Sequence, residues 1–117
     1  MRFDKDESGL ITMVIEGQID AQIMRAALEQ FLEMAEGLEN GRLLALARDV
    51  HWPTGGALGV ELVFLPRLFS ALAKLDRIAV VSEEDWIRRV AEIEGHLLPH
   101  ADVETFEDEA AARDWLA

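Results

Sequence analysis

Cysteine is absent from the 117-residue chain, which excludes disulfides and thiolate chemistry and fits a reducing compartment. Tyrosine is absent too. Ser8, Ser70 and Ser82 fall in a turn, a helix and a helix cap, with no nucleophile-elbow motif around any of them. Histidine is confined to His51, His96 and His100. The last two are four residues apart, but Pro99 ends the helix they would have to share, so they need not present one metal-binding face. With Asp102 and Glu104 nearby, a surface metal site stays a minor alternative, and neither a metal nor a cofactor is expected.

Basic residues are scarce: 11 Lys and Arg stand against 23 Asp and Glu, for a formal net charge of −12. Such a surface repels the nucleic-acid backbone and anionic membranes, so no nucleic-acid partner is expected. No apolar run approaches the ~20 residues of a membrane span, and Met1-Arg2-Phe3-Asp4-Lys5 lacks a signal-peptide core. The expectation is a cytoplasmic protein with no membrane insertion. Half of the residues are hydrophobic, and a chain of this length buries roughly two-thirds of its unfolded surface as one domain, here residues 1–117.

What is present is organised around Arg42 to Val81. The apolar runs Leu43–Ala47 and Ile78–Val81 are joined by about 30 residues with helical content, the pattern of two parallel strands and a crossover helix. Upstream, Met1–Lys5 and Leu10–Ile15 flank the turn composition Asp6-Glu7-Ser8-Gly9 and predict an antiparallel hairpin. Asp20 is the expected N-cap of an amphipathic helix with Ile23, Ala27, Phe31, Met34 and Leu38 on its apolar face, stopped by Asn40-Gly41. Downstream, Ser82-Glu83-Glu84-Asp85 matches a capping pattern that predicts a helix striped by Trp86, Val90, Ile93 and Leu97. Asp102–Phe106 reads as an edge strand, and a final helix carries Ala111, Ala112 and Trp115 inward. The fold class is therefore α/β, a single-domain mixed β-sheet of an N-terminal hairpin plus parallel strands, flanked by about four helices.

The middle of the chain differs from its flanks. Residues 42–81 carry five basic and three acidic side chains, whereas residues 82–117 carry three against eleven. Buried strands and a core helix account for part of this, and a docking patch set in an acidic surface is the alternative. The bend Trp52-Pro53-Thr54-Gly55-Gly56 sits where α/β sheets place ligands, yet its glycines match no phosphate-binding motif. On one continuous helix from Ala57 to Leu75, Glu61 would fall among Leu65, Leu68 and Leu72, a costly place for a carboxylate. Pro66 predicts a kink or break near Leu65 that resets the phase and leaves Glu61 solvated. Even so, the segment holds more apolar side chains than one face can hide, and the surplus predicts either a homodimer interface or an apolar pocket.

Several motifs taken in order resemble the SpoIIAA-like family: Ile15-Glu16-Gly17 before a first helix, Arg42-Leu43-Leu44 leading to Asp49, Asp76-Arg77-Ile78-Ala79-Val80-Val81 with Trp86 just after, and Phe106 followed by Ala110, Trp115 and Leu116. That family is a bacterial branch related to STAS domains, the anti-sigma-factor antagonist fold, and similar to CRAL-TRIO lipid-binding domains. The resemblance implies a mixed sheet with helices packed on it, often a dimer, and no established catalytic activity. In true antagonists a serine at the start of the helix after the central strand is phosphorylated. The matching region here offers Asp49 and, as its one hydroxyl, Thr54, without the usual Asp-Ser-x-Gly signature and with Pro53 before the threonine. Thr54 is thus the candidate phosphoacceptor, with a capping or turn role as its plainer use.

The leading functional expectation is a non-enzymatic, STAS-like regulatory or protein-interaction module. It docks through the 52–69 loop and apolar helix, and its binding residues are Asp49, His51, Trp52, Val60, Phe64, Arg67 and Phe69. The alternative is a carrier or sensor of a small apolar or lipid-like ligand, with Arg67 or Lys74 near the cavity mouth. An enzyme built on His51 and Asp49 ranks last, and no residue is assigned a catalytic role.

Overall fold

A computed structural model describes residues 1–117. Strands β1 (Arg2–Lys5), β2 (Leu10–Gly17), β3 (Gly41–Val50), β4 (Leu75–Val81) and β5 (Asp102–Phe106) alternate with helices α1 (Ala21–Ala35), α2 (Gly55–Leu72), α3 (Asp85–Gly95) and α4 (Glu109–Leu116). The strands lie in one sheet in chain order, β1 antiparallel to β2 and every later pair parallel. Central β3 is unalternating because both of its faces are covered: Leu43, Leu44, Ala45, Leu46 and Ala47 are all buried. Leu43 joins Phe31, Phe64 and Leu68 under α1 and α2, while Leu44 and Leu46 join Ala112 and Leu116 of α4 on the opposite face.

Local chemistry explains where the helices begin and end. Asp20 caps α1 as expected, its carboxylate accepting from the Ile23 amide at 2.8 Å. The helix stops earlier than Asn40-Gly41, because Gly37 takes φ +76° just past the last turn, a conformation only glycine enters freely. Arg42 and Arg77 sit side by side on β3 and β4. They donate to the carbonyls of Leu116 at 2.8 Å and Trp115 at 2.9 Å. The negative end of the α4 dipole offsets the repulsion between these two cations and fixes α4 to the sheet.

Four expectations about the helices fail. Helix α2 runs without a break through Pro66, and Leu62, whose carbonyl Pro66 cannot serve, lies in an exposed turn open to water. The phase is therefore never reset and Glu61 stays half-buried. Ser82 does not cap α3; it is buried and its hydroxyl accepts from the Glu84 amide, while the helix starts at Asp85 after Glu84. The stripe Val90, Ile93 and Leu97 points outward. The inner side of α3 is instead small: a Cβ on Gly95 would meet the Val103 Cβ at 3.0 Å, so the helix sits down on β5 through its glycine. In α4, Ala112 and Leu116 are buried while Ala111 is exposed and Trp115 half-buried against Phe106.

By length and composition α2 could cross a membrane, although no such run was expected from the sequence. Its 18 residues include Glu61 and Arg67 and pack along Ala57, Val60, Phe64, Leu68 and Ala71 against the sheet and α1. Truncation of the largest of these buried side chains tests that packing. Phe64→Ala is expected to lower unfolding free energy by about 3–5 kcal/mol, and Leu62→Ala, on the exposed face opposite the buried stripe, by less than about 0.5 kcal/mol, in urea melts of the two variants.

Candidate functional site

Beyond Arg48 the end of β3 is irregular. Glu16 pairs with Arg48 but Gly17 pairs with Val50, so Asp49 bulges out at φ +50°. The following turn is clipped to the β2–α1 loop: the His51 amide donates to the Gly17 carbonyl and the Thr54 amide to the Ile19 carbonyl, both at 3.0 Å. The Gln18 side-chain amide donates to the Trp52 carbonyl at 2.9 Å. Thr54 then caps α2, accepting from the Ala57 amide at 3.1 Å. Gly56 is needed for close approach to α1, since a Cβ there would lie 3.2 Å from the Ala21 Cβ.

Trp52 is 68% exposed and stacks on Trp86 with ring centroids 4.5 Å apart and planes 20° from parallel. This pair ties the β3–α2 turn to the first turn of α3. Beside it, on the α4 side, the carboxyl ends of β3, β4 and β5 enclose a crevice of about 570 Å³ lined by Arg48, Asp49, Ser82, Glu83, Glu84 and Glu107 among others. Arg48 is engaged with Glu109 at 3.1 Å, and Arg88 donates to the Ser82 carbonyl at 2.6 Å while pairing with Asp85 and Glu107. His51 is exposed and no side-chain hydrogen bond joins it to Asp49. The geometry of a base and its orienting carboxylate is therefore not built here.

The residues expected to bind a ligand or partner divide into separate places. Asp49, His51, Trp52 and Thr54 stay together at the sheet end. Val60 and Phe64, offered by the sequence as docking residues, belong to the core, with Phe64 only 2% exposed. Sheet-facing burial withdraws both from any protein partner. Arg67 lies over the Phe64 ring at 4.2 Å. With Lys74 it borders a groove against Glu33 of α1 and Glu36 just past its end, away from the apolar cavity it was expected to guard. Phe69 is at the far end of α2, about 22 Å from Thr54 at 1.5 Å per residue.

Two features were only partly legible in the sequence, which offered an interface or an apolar pocket without the side chains that form either. The first is a set of exposed apolar side chains, Leu58, Leu62, Val63 and Phe69 on α2 with Val90 and Ile93 on α3 and Leu97 just beyond it. The surplus of apolar residues announced its existence but could not say which side chains form it. The second is a cavity of about 240 Å³ between α1, α2, α3 and the sheet, lined by 19 residues of which 16 are hydrophobic. Glu61 and Glu94 are its carboxylates. Burial pushes the Glu61 carboxyl above its ordinary value, and burial together with the Glu61 charge does the same to Glu94, which keeps an exposed flank.

The sequence profile of SpoIIAA-like proteins matches residues 10–117. The chain belongs to the SpoIIAA-like family. No curated protein matches the sequence. Among solved structures, an uncharacterised protein with a SpoIIAA-like fold from Shewanella loihica PV-4 superposes with a TM-score of 0.77 at 13% identity, covering 99% of this chain and 91% of that one. The Bacillus cell fate determinant SpoIIAA in its phosphorylated form superposes with a TM-score of 0.54 at 15% identity, covering 99% and 98%. At these identities the two structures establish a shared fold. They agree with the SpoIIAA-like sheet of five strands and its four helices.

Two measurements probe this SpoIIAA-like site. Because the folded state holds protons at Glu61 and Glu94 that the unfolded chain has released, their contribution to stability is complete below the ordinary value of 4.5 and is lost as pH rises through the raised folded values. Thermal melts of Glu61→Gln against the parent should show the difference moving in favour of the variant as pH rises above 4.5. Trp52→Ala should destabilise the fold by about 0.5–1.5 kcal/mol beyond its small burial, through loss of the Trp86 stack, and should change the near-ultraviolet circular dichroism.

Proposed function

We propose that this SpoIIAA-like protein is a non-enzymatic regulatory module that binds a protein partner at the β3–α2 turn and the outer face of α2. The observation that supports this most is the exposure of large apolar side chains there: Trp52, Leu62 and Val63 are between 66% and 70% exposed. Such a patch on an otherwise acidic surface is what an interaction site requires. Thr54, exposed at the N-terminus of α2, is the hydroxyl at which a phosphate would meet the positive end of the helix dipole and alter docking. The phosphorylated SpoIIAA structure lends this switch its analogy.

A homodimer through the same patch is the competing occupant. The carrier reading, in which the chain holds a small apolar or lipid-like molecule, has the cavity beneath α2 and α3 in its favour.

Double substitution Leu62→Asp/Val63→Asp on the exposed face should leave the far-ultraviolet circular dichroism unchanged while abolishing partner cross-links to α2, or, if the patch closes a homodimer, converting dimer to monomer in analytical ultracentrifugation. Retention of both cross-links and oligomeric state would remove this surface from consideration.

A further inference from the structure

The cavity exists because α3 turns its small side inward. Ala91 and Gly95 line it from α3 and Ala27 and Ala45 line it from α1 and β3, while the bulky Ile93 and Leu97 point away. Its volume of about 240 Å³ has room for on the order of eight water-sized groups at about 30 Å³ each. Sixteen hydrophobic lining residues make it a poor place for water, which needs polar partners, and a good one for a short hydrocarbon chain.

The charges at the cavity have one sign. Glu61 on α2 and Glu94 on α3 are the ionisable side chains among its lining residues, and neither enters an ion pair or a side-chain hydrogen bond. The remaining elements that line it, β1, β2, α1, β3, β4 and β5, contribute apolar side chains, and the amino group of Met1 pairs with neither glutamate. Arg67 and Lys74 face α1 instead. Two uncompensated carboxylates line the same apolar cavity, Glu61 half-buried and Glu94 with an exposed flank, and burial together with their like charge raises the pKa of Glu94 as burial raises that of Glu61. A cation placed between them would relieve both costs, whereas a carboxylate or phosphate head would add to them.

We propose that this cavity binds a cationic amphiphile, a short alkyl chain bearing a protonated amine, with the chain among Phe31, Leu68 and Leu98 and the ammonium held between Glu61 and Glu94. The proposal rests on the carrier reading and gives its ligand a cationic head, met by Glu61 and Glu94 in place of Arg67 or Lys74. Its recognition is the ordinary pairing of a charge-assisted hydrogen bond with apolar burial.

Calorimetric titration of the full chain with octylamine, octanol and octanoate at neutral pH tests it. Octylamine should bind about tenfold or more tightly than the other two, the factor expected of one charge-assisted hydrogen bond. Glu61→Gln/Glu94→Gln should remove that advantage while leaving octanol binding unchanged. Ala91→Leu, which fills the cavity, should weaken all three probes. Glu94→Lys, at an exposed helical position that tolerates a long side chain, should shift preference toward octanoate without disturbing the fold. Equal binding of octylamine and octanol would overturn the cationic head while leaving a carrier of neutral chains. Absence of binding by every probe would overturn the carrier reading with it. Octylamine binding unaffected by Ala91→Leu and by the glutamate variants would mark diffuse attraction to an acidic surface and overturn the site.

Discussion

Burial of β3 on both faces is the constraint from which the architecture follows. A strand whose successive residues Leu43 to Ala47 are all apolar has no side to turn to water, so helices must cover it above and below. Parallel neighbours on each side require crossover connections, and these deliver α1, α2 and α3 to one face. The opposite face is left to α4, held by Ala112 and Leu116 and by the two arginines that reach its last carbonyls. The loops that follow β2 and β3 then meet at one end of the sheet, where backbone hydrogen bonds clip them together. The surfaces of functional interest are by-products of that packing.

Three crossover helices over a narrow sheet do not fill their face evenly. α1 and α2 pack side by side through Phe31, Phe64 and Ala71. α3 descends through Gly95 onto β5 at the other edge, leaving a gap against α2. Into that gap project the two glutamates, and both helices carry exposed apolar side chains. Partner docking on those side chains and ligand entry into the cavity would act on the same two helices.

Much of this was legible in the residues. The N-terminal hairpin, the central parallel pair, the edge strand Asp102–Phe106 and the Asp20 cap were each set by local composition and by apolar periods that tertiary packing did not override. The conflict at Glu61 was visible as well, because a continuous helix puts it beside Leu65, Leu68 and Leu72. Its resolution was not. A proline marks one amide that cannot donate, but whether the helix breaks depends on whether the orphaned carbonyl meets water, and here its turn is exposed. The α3 stripe misled for a related reason. Periodicity shows that a face exists, yet the contact between Gly95 and Val103 and the Trp52–Trp86 stack set which face turns inward.

The sequence by itself determined the fold class, the succession of strands and helices through its alternation of apolar runs and helical stretches, the acidic character of the flanks, and family membership. Those are properties of composition and one-dimensional spacing, which act through local backbone preference and the need to bury apolar runs. Tertiary structure alone decided that Val60 and Phe64 are core, that Trp52 and Leu62 are surface, that Arg67 covers Phe64, and that Glu61 finds Glu94 across an apolar gap. The last pair lies 33 positions apart in the chain. Their encounter depends on the rotation and depth of two helices about the sheet, which no local pattern specifies.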